Sequence, residues 1–129
     1  MTIHLDTSLL VDALCAPFRS LADLEAVTLS AERTTISTPV LFEWLRGPRL
    51  DYELQAQERF IPAIEAVAFD VAVARCAARL YRSVRRPRGR EIDLVIAACA
   101  IEHGAALWTL NPVDFEDIPG LTLYRPSGF

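Results

Sequence analysis

The 129-residue sequence contains no lysine: all 13 basic residues are arginine, set against 17 acidic ones, and the formal net charge is −4. That balance excludes the broad basic surface of a general nucleic-acid coat protein. The absence of lysine itself is accounted for by genome composition and assigns no function. Long hydrophobic runs are also missing. No apolar stretch approaches the roughly 20 residues of a membrane-spanning helix. The N-terminus lacks the basic segment and apolar core of a secretory signal, so the expected location is cytoplasmic. Cysteine is scarce: Cys15, Cys76 and Cys99 are odd in number, far apart and without a CxxC spacing. A disulfide framework and a thiolate zinc site are thereby excluded, and buried reduced thiols are expected. Repeats, low-complexity tracts and linkers are absent as well. With 52% hydrophobic and 23% charged residues, this length suits one globular domain over residues 1–129.

What is present alternates between strand and helix patterns. Thr2 to Leu5, Thr34 to Ser37, Ala66 to Phe69, Ala105 to Trp108 and Leu121 to Tyr124 read as short strands. Helices are expected over Thr7–Leu14, Arg19–Ala31, Asp51–Ala63 and Glu91–Glu102, and from Asp70 to about Val84. Thr38 resembles an N-cap with Pro39 at the first helical position, opening a helix through Leu45 that Gly47-Pro48 ends. His103-Gly104 forms a helix C-terminal signature. Strands alternating with helices predict an α/β fold, a mostly parallel central sheet of about five strands covered by helices on both faces.

Four acids stand at the ends of these segments: Asp6 in IHLDTS, Glu43 in TPVLFEWLRG, Asp93 in EIDLVIAACA and Asp114 in TLNPVDFEDIPGL. In open parallel sheets, ligands gather outside the carboxyl ends of the strands. Asp6 follows the first strand, Glu43 lies on the helix after the second, and Asn111 and Asp114 follow the fourth. Asp93 opens the helix that feeds the fourth strand. All four acids therefore reach one edge of the sheet. A convergent set of carboxylates calls for a hard cation, Mg²⁺ or Mn²⁺, with oxygen ligands. Singly, each acid has a plainer account: Asp6 as a helix cap, Glu43 in a polar stripe, Asp93 complementing a helix dipole, Asp114 opening a turn. Four such accidents at one edge are less economical than one shared site. Asp12, Asp51, Asp70 and Asp117 lack comparable placement and read as surface or capping residues.

Among the remaining candidates, Arg85, Arg86, Arg88 and Arg90 form a basic stretch just before Asp93. Its two readings are a grip on nucleic-acid phosphates and a solvated loop. Phe42, Trp44, Trp108 and Phe115 are expected in the core. His4 and His103, inside a strand and at a helix end, read as structural.

LDTSLLVDAL, FEWLRG and the long block IDLVIAACAIEHGAALWTLNPVDFEDIPGL resemble PIN-domain ribonucleases, in particular the VapC-like toxins of toxin–antitoxin pairs. The likeness runs from Ile3 to Pro126, and the C-terminal block is its most specific part. It implies a PIN-like three-layer sandwich and Mg²⁺- or Mn²⁺-dependent endoribonuclease activity on RNA. It also implies a small cognate antitoxin as partner and a homodimer. Carried over by motif, Asp6, Glu43, Asp93 and Asp114 are the catalytic acids. One departure is Asn111, which stands where many relatives carry a further acid, so the site has one charge fewer.

The expected chemistry is phosphodiester cleavage, in which metals roughly 3.5–4 Å apart clamp the attacking and leaving oxygens. Asp6 and Asp93 are the principal expected metal ligands, with Asp114 and Glu43 contributing directly or through water. Thr7, Ser8, Thr109 and Asn111 are expected to orient these carboxylates. Two alternatives come from other classes: a catalytically silent PIN-like interaction module, and a phosphatase of the haloacid dehalogenase type. The latter chemistry wants Asp-x-Asp after the first strand, where this chain has Asp6-Thr7-Ser8.

Overall fold

Short strands set the frame of the molecule, and the two central ones leave almost no face for water. In β1 (Thr2–Leu5), Ile3 and Leu5 point to one side and His4 to the other, and all three are buried. Burial on both faces is the mark of a parallel sheet covered by helices. The computed structural model describes residues 1–126; the last three positions of the expected domain lie outside the described residues. After β1 the chain runs through α1 (Thr7–Leu14), α2 (Leu21–Thr28), β2 (Arg33–Thr35), α3 (Thr38–Arg46) and α4 (Asp51–Phe60). It continues through α5 (Val71–Ser83), α6 (Glu91–Glu102), β3 (Ala106–Trp108) and β4 (Thr122–Leu123). The four strands form one parallel sheet in the order β2-β1-β3-β4, flanked by six helices in an α/β sandwich.

The strand count is one below expectation. Residues 66–69 form no strand; Val67 makes an isolated parallel bridge to Ser37, with its amide donating to the Ile36 carbonyl at 2.9 Å. β2 ends at Thr35 and Ser37 already caps α3, so the segment has no continuing edge to pair with. The cap itself is also one residue early. Ser37 Oγ accepts from the Val40 amide, while Thr38 Oγ1 accepts from the Phe69 amide and ties down the bridge segment.

Helix packing follows periodicity. α5 buries Val73, Cys76, Ala77 and Leu80, one stripe at helical spacing, and turns Arg75, Arg79 and Arg82 to solvent. Asp70 caps it through a 3.0 Å bond from the Val73 amide. α6 is buried nearly all round, with Leu94 and every residue from Ile96 to Ala100 inside, and it packs against α3, α5 and β3. It ends at Gly104, whose φ of 62° lies in the left-handed region that Gly enters without steric cost. Trp44, Trp108 and Phe115 belong to the core as expected. Phe42 does not: it is 55% exposed, with the Arg46 guanidinium 5.3 Å above its ring. Cys76 and Cys99 are buried and Cys15 is half-buried, all as free thiols. No helix among the described residues is long and apolar enough to cross a membrane.

His4 is the costliest polar group in this core. It is 1% exposed, neither ring nitrogen has a hydrogen-bond partner, and the His103 ring stands 6.0 Å away. Burial, helped by His103, lowers its pKa to about 4. The unfolded chain binds a proton near pH 6.5 that the folded chain refuses, so this group removes stability as pH falls from 6.5 toward 4. At pH 5 the loss is about 2 kcal/mol at most. The urea midpoint of His4→Leu should therefore fall less between pH 7 and pH 5 than that of the wild type. Parallel declines in the two proteins would contradict this assignment.

Candidate active site

Strand order creates the site. From β1 the chain moves outward to β2, then crosses back to lay β3 on the other side of β1. The carboxyl ends of β1 and β3 thus border the crevice where ligands bind in open parallel sheets. Leu5 pairs with Trp108, and the Asp6 amide donates to the Trp108 carbonyl at 2.9 Å, so Asp6 and Thr109 leave the sheet side by side.

Asp6 is the N-cap residue of α1, yet its side chain makes no capping bond. Its carboxylate is used instead by two hydroxyls: Thr109 Oγ1 donates to Oδ2 at 2.7 Å and Ser8 Oγ donates to the same oxygen at 2.9 Å. Each hydroxyl has a single proton, so the 3.3 Å contact between Ser8 Oγ and Thr109 Oγ1 is secondary to these bonds. Both hydroxyls are oriented in turn by backbone donors, the Leu110 amide to Ser8 Oγ at 3.1 Å and the Asn111 amide to Thr109 Oγ1 at 3.0 Å. Oδ1 of Asp6 has no hydrogen-bond partner among the described residues and remains available to a ligand. The helix-cap account of Asp6 is therefore set aside by geometry.

The other acids come from three further elements. Glu43, half-buried on α3, accepts from Thr7 Oγ1 at 2.6 Å through Oε1, with Arg46 3.4 Å from Oε2. Asp93 lies in the first turn of α6. Asp114 is exposed at the end of a single 3₁₀ turn, Pro112–Asp114, pinned from below by buried Phe115. Asn111 precedes that turn, and its carbonyl accepts from the Asp114 amide at 3.0 Å.

Electrostatics joins the four. The Asp93 carboxyl is raised from 3.8 to about 6, first by burial, then by the charges of Asp6, Asp114 and Glu43, with Arg90 pulling the other way. Three acids from three other segments therefore act on Asp93 at once. Among the described residues no three histidine, cysteine or acidic side chains already close into a cation cage. The donor set of the four acids fits Mg²⁺ or Mn²⁺: all oxygen, all hard, with the free Asp6 Oδ1.

The basic stretch divides. Arg85, Arg86 and Arg88 are exposed, and no ion pair among the described residues engages them. Arg90 is bound: its guanidinium forms a forked pair with Asp117, at 2.9 and 2.6 Å, and donates to the Asp114 carbonyl at 3.0 Å. Asp117 is exposed, in line with its reading as a surface or capping residue, and it also holds the Arg90 guanidinium. The two partners are 27 positions apart, and no local signal in the sequence pairs them.

The PIN domain family matches residues 3–121, and the chain belongs to that family. Among solved structures, it is similar to VapBC2 from Rickettsia felis bound to a promoter DNA fragment, with a TM-score of 0.74 and 23% identity over 96% of this chain and 98% of that one. DNA-bound VapBC from Salmonella typhimurium gives the same score and identity, covering 96% and 97% of the two chains. FitAcB from Neisseria gonorrhoeae reaches 0.71 with 21% identity over the full length of both. Among curated proteins, none matches the chain. At these identities the structural likenesses establish the fold.

The raised Asp93 pKa has a consequence for stability. A carboxyl whose folded pKa exceeds its unfolded value favours folding when protonated; the benefit is full below about pH 4 and lost as pH rises through 6. At neutral pH the metal-free protein therefore carries a penalty, on the order of 1 kcal/mol after discounting for solvent screening. Asp93→Asn in EDTA should melt a few degrees higher than wild type, roughly 3 °C for this size. Millimolar Mn²⁺ should stabilise the wild type and the variant much less. Equal Mn²⁺ shifts in both proteins would sink the shared-site assignment.

Proposed function

We propose that this chain is a metal-dependent endoribonuclease, the toxin of a VapC-like toxin–antitoxin pair acting in the cytoplasm as a single PIN domain. The observation that carries the reading is the Asp6 carboxylate at the carboxyl edge of the sheet, held by Ser8 and Thr109 through Oδ2 with Oδ1 unpartnered among the described residues; the charges of Asp6, Asp114 and Glu43, which add to burial in raising the Asp93 carboxyl, support it. Carboxylates so coupled are a liability in a protein that binds no cation, and a functional centre in one that does. Asp6, Asp93 and Asp114 would hold Mg²⁺ or Mn²⁺, with Glu43 as a further catalytic acid. A cation held there would supply Lewis acidity toward the phosphate and make an attacking water more acidic.

The chain's own residues supply the rest. Ser8 and Thr109 fix the Asp6 carboxylate through two bonds to Oδ2, which leaves Oδ1 free for a ligand. Thr7 fixes the Glu43 carboxylate at the opposite wall. Asn111 offers a neutral amide beside Asp114. Arg85, Arg86 and Arg88 extend from the loop before α6 and would hold RNA phosphates, since guanidinium pairs with phosphate oxygens in a planar fork.

Purified protein should cut single-stranded RNA with Mg²⁺ or Mn²⁺ and stop on chelation. Asp6→Asn and Asp93→Asn should fall to background with the fold intact by circular dichroism. Cleavage that persists in EDTA would exclude this mechanism, and a wild type inert with either metal would favour the interaction-module alternative. Replacing Arg85, Arg86 and Arg88 together by Ala should weaken RNA binding and lower its salt slope by about 0.7 per lost phosphate contact. An unchanged slope returns these arginines to the solvated-loop reading.

Two partner assignments belong to the same proposal. Exposed Phe42, Phe69 and Ile92, with Pro39 and Val95, line an apolar surface between α3 and α6 beside the acids, and we assign it to a homodimer. A second apolar groove, about 330 Å³, runs between α1, α2 and α4 past Leu14, Phe18, Leu21, Tyr52 and Phe60, and suits an antitoxin segment. The solved neighbours named above as VapBC assemblies support a partnered protein of this fold. Light scattering of the chain alone should give twice its mass, and Phe42→Asp should give the single mass. A wild-type monomer at micromolar concentration would remove the dimer assignment. The adjacent reading frame should encode a small DNA-binding protein that co-purifies with this chain; an unrelated neighbour would count against the antitoxin.

A further inference from the structure

Arg90 has more bonds than a phosphate-gripping residue can spare. It occupies the N-cap position of α6, three residues before Asp93. One guanidinium nitrogen, Nη1, donates to Asp117 Oδ2 at 2.9 Å and to the Arg85 carbonyl at 3.3 Å. The other, Nη2, donates to Asp117 Oδ1 at 2.6 Å and to the Asp114 carbonyl at 3.0 Å. One planar group thereby joins three segments: the arginine loop, the first turn of α6, and the turn that presents Asp114. That turn needs holding. It is a single 3₁₀ turn, Asp114 itself is exposed, and Phe115 anchors it only from beneath. The Arg90–Asp117 fork clamps it from the side, and the bond to the Asp114 carbonyl fixes the backbone from which that carboxylate projects.

We propose that Arg90, locked by Asp117, is a positioning residue that sets the Asp114 turn relative to Asp93 and so preorganises the cation site. This rests on the metal-site reading above. The fork's geometry is what the role requires: a lysine carries the same charge but cannot make two parallel bonds to a carboxylate while reaching a carbonyl with the same planar group. Arg90 therefore differs in kind from Arg85, Arg86 and Arg88, although all four share one basic stretch.

The test is a Mn²⁺ binding isotherm by calorimetry on the folded full-length protein, well below its melting temperature, with RNA binding in EDTA as the second readout. Arg90→Ala, Arg90→Lys and Asp117→Asn should each weaken Mn²⁺ binding about tenfold, the effect seen when partners that orient metal ligands are removed. Because Arg90 and Asp117 act as one unit, the Arg90→Ala/Asp117→Asn double variant should lose no more than either single variant. RNA affinity in EDTA should stay within twofold of wild type. Asp117→Asn is a near-isosteric change at an exposed residue, so it remains informative should Arg90→Ala misfold. Wild-type Mn²⁺ affinity in Arg90→Lys or Asp117→Asn would overturn the proposal. So would an Arg90→Ala protein that binds Mn²⁺ normally and RNA weakly, which would make Arg90 a phosphate contact. A wild type that binds no Mn²⁺ would overturn the metal-site reading itself, whereas tight binding by wild type and variants alike removes only the role of Arg90.

Discussion

The parallel pairing of β1 with β3 is the constraint on which the rest of the site depends. With Leu5 opposite Trp108 and the Asp6 amide bonded to the Trp108 carbonyl, Asp6 and Thr109 must leave the sheet together. A one-residue slip in this register would turn Asp6 to the wrong face and separate it from Thr109. Everything local to Asp6 then follows. Ser8, two residues on in the first turn of α1, reaches back to Oδ2, and Thr109 reaches across. The backbone after β3 closes on both hydroxyls through the amides of Leu110 and Asn111. Residues about a hundred positions apart become one hydrogen-bonded unit because two three-residue pairings hold β1 between β2 and β3.

Much of this was legible in the sequence because the signals are local. The α5 stripe of Val73, Cys76, Ala77 and Leu80 is helical spacing, Asp70 is a cap at the expected place, and Gly104 is a left-handed stop. The positions of Asp6 and Asp93 were legible too, since one follows a strand and the other opens a helix, and a parallel sheet sends the ends of its strands to one edge. Features decided by distant partners were not. Ala66 to Phe69 has strand composition, but whether it pairs depends on how far β2 runs, and β2 stops first. Phe42 is as apolar as Trp44, yet its direction on α3 puts it outside while Trp44 is fully buried. Arg90 looked like its neighbours in the basic stretch, and only the fold brings Asp117 to it.

Two strongly shifted groups, His4 and Asp93, press on stability in opposite senses across the same acid range. His4, buried without a partner, takes stability away as pH falls toward 4; Asp93, crowded by acids, gives some back as it protonates near 6. They differ in origin. His4 is a desolvation cost deepened by His103, whereas at Asp93 the charges of Asp6, Asp114 and Glu43 add to desolvation, and a cation would turn those neighbours from repellent to cooperative.

That cost persists because the fold denies Asp93 an escape. Exposed carboxylates in conflict move apart through their side chains at little expense, but Asp93 is anchored one residue ahead of Leu94 on a helix buried from Ile96 through Ala100. Shifting the first turn of α6 to relieve the repulsion would drag that apolar length out of its packing against α3, α5 and β3, at about 25 cal/mol for each Å² exposed. The helix dipole offsets part of the charge at this position, yet the carboxyl remains near 6, so burial and the neighbouring acids together outweigh it. The hydrophobic core and the acidic edge are therefore one device: apolar burial of α6 supplies the rigidity that keeps four like charges within range of one another.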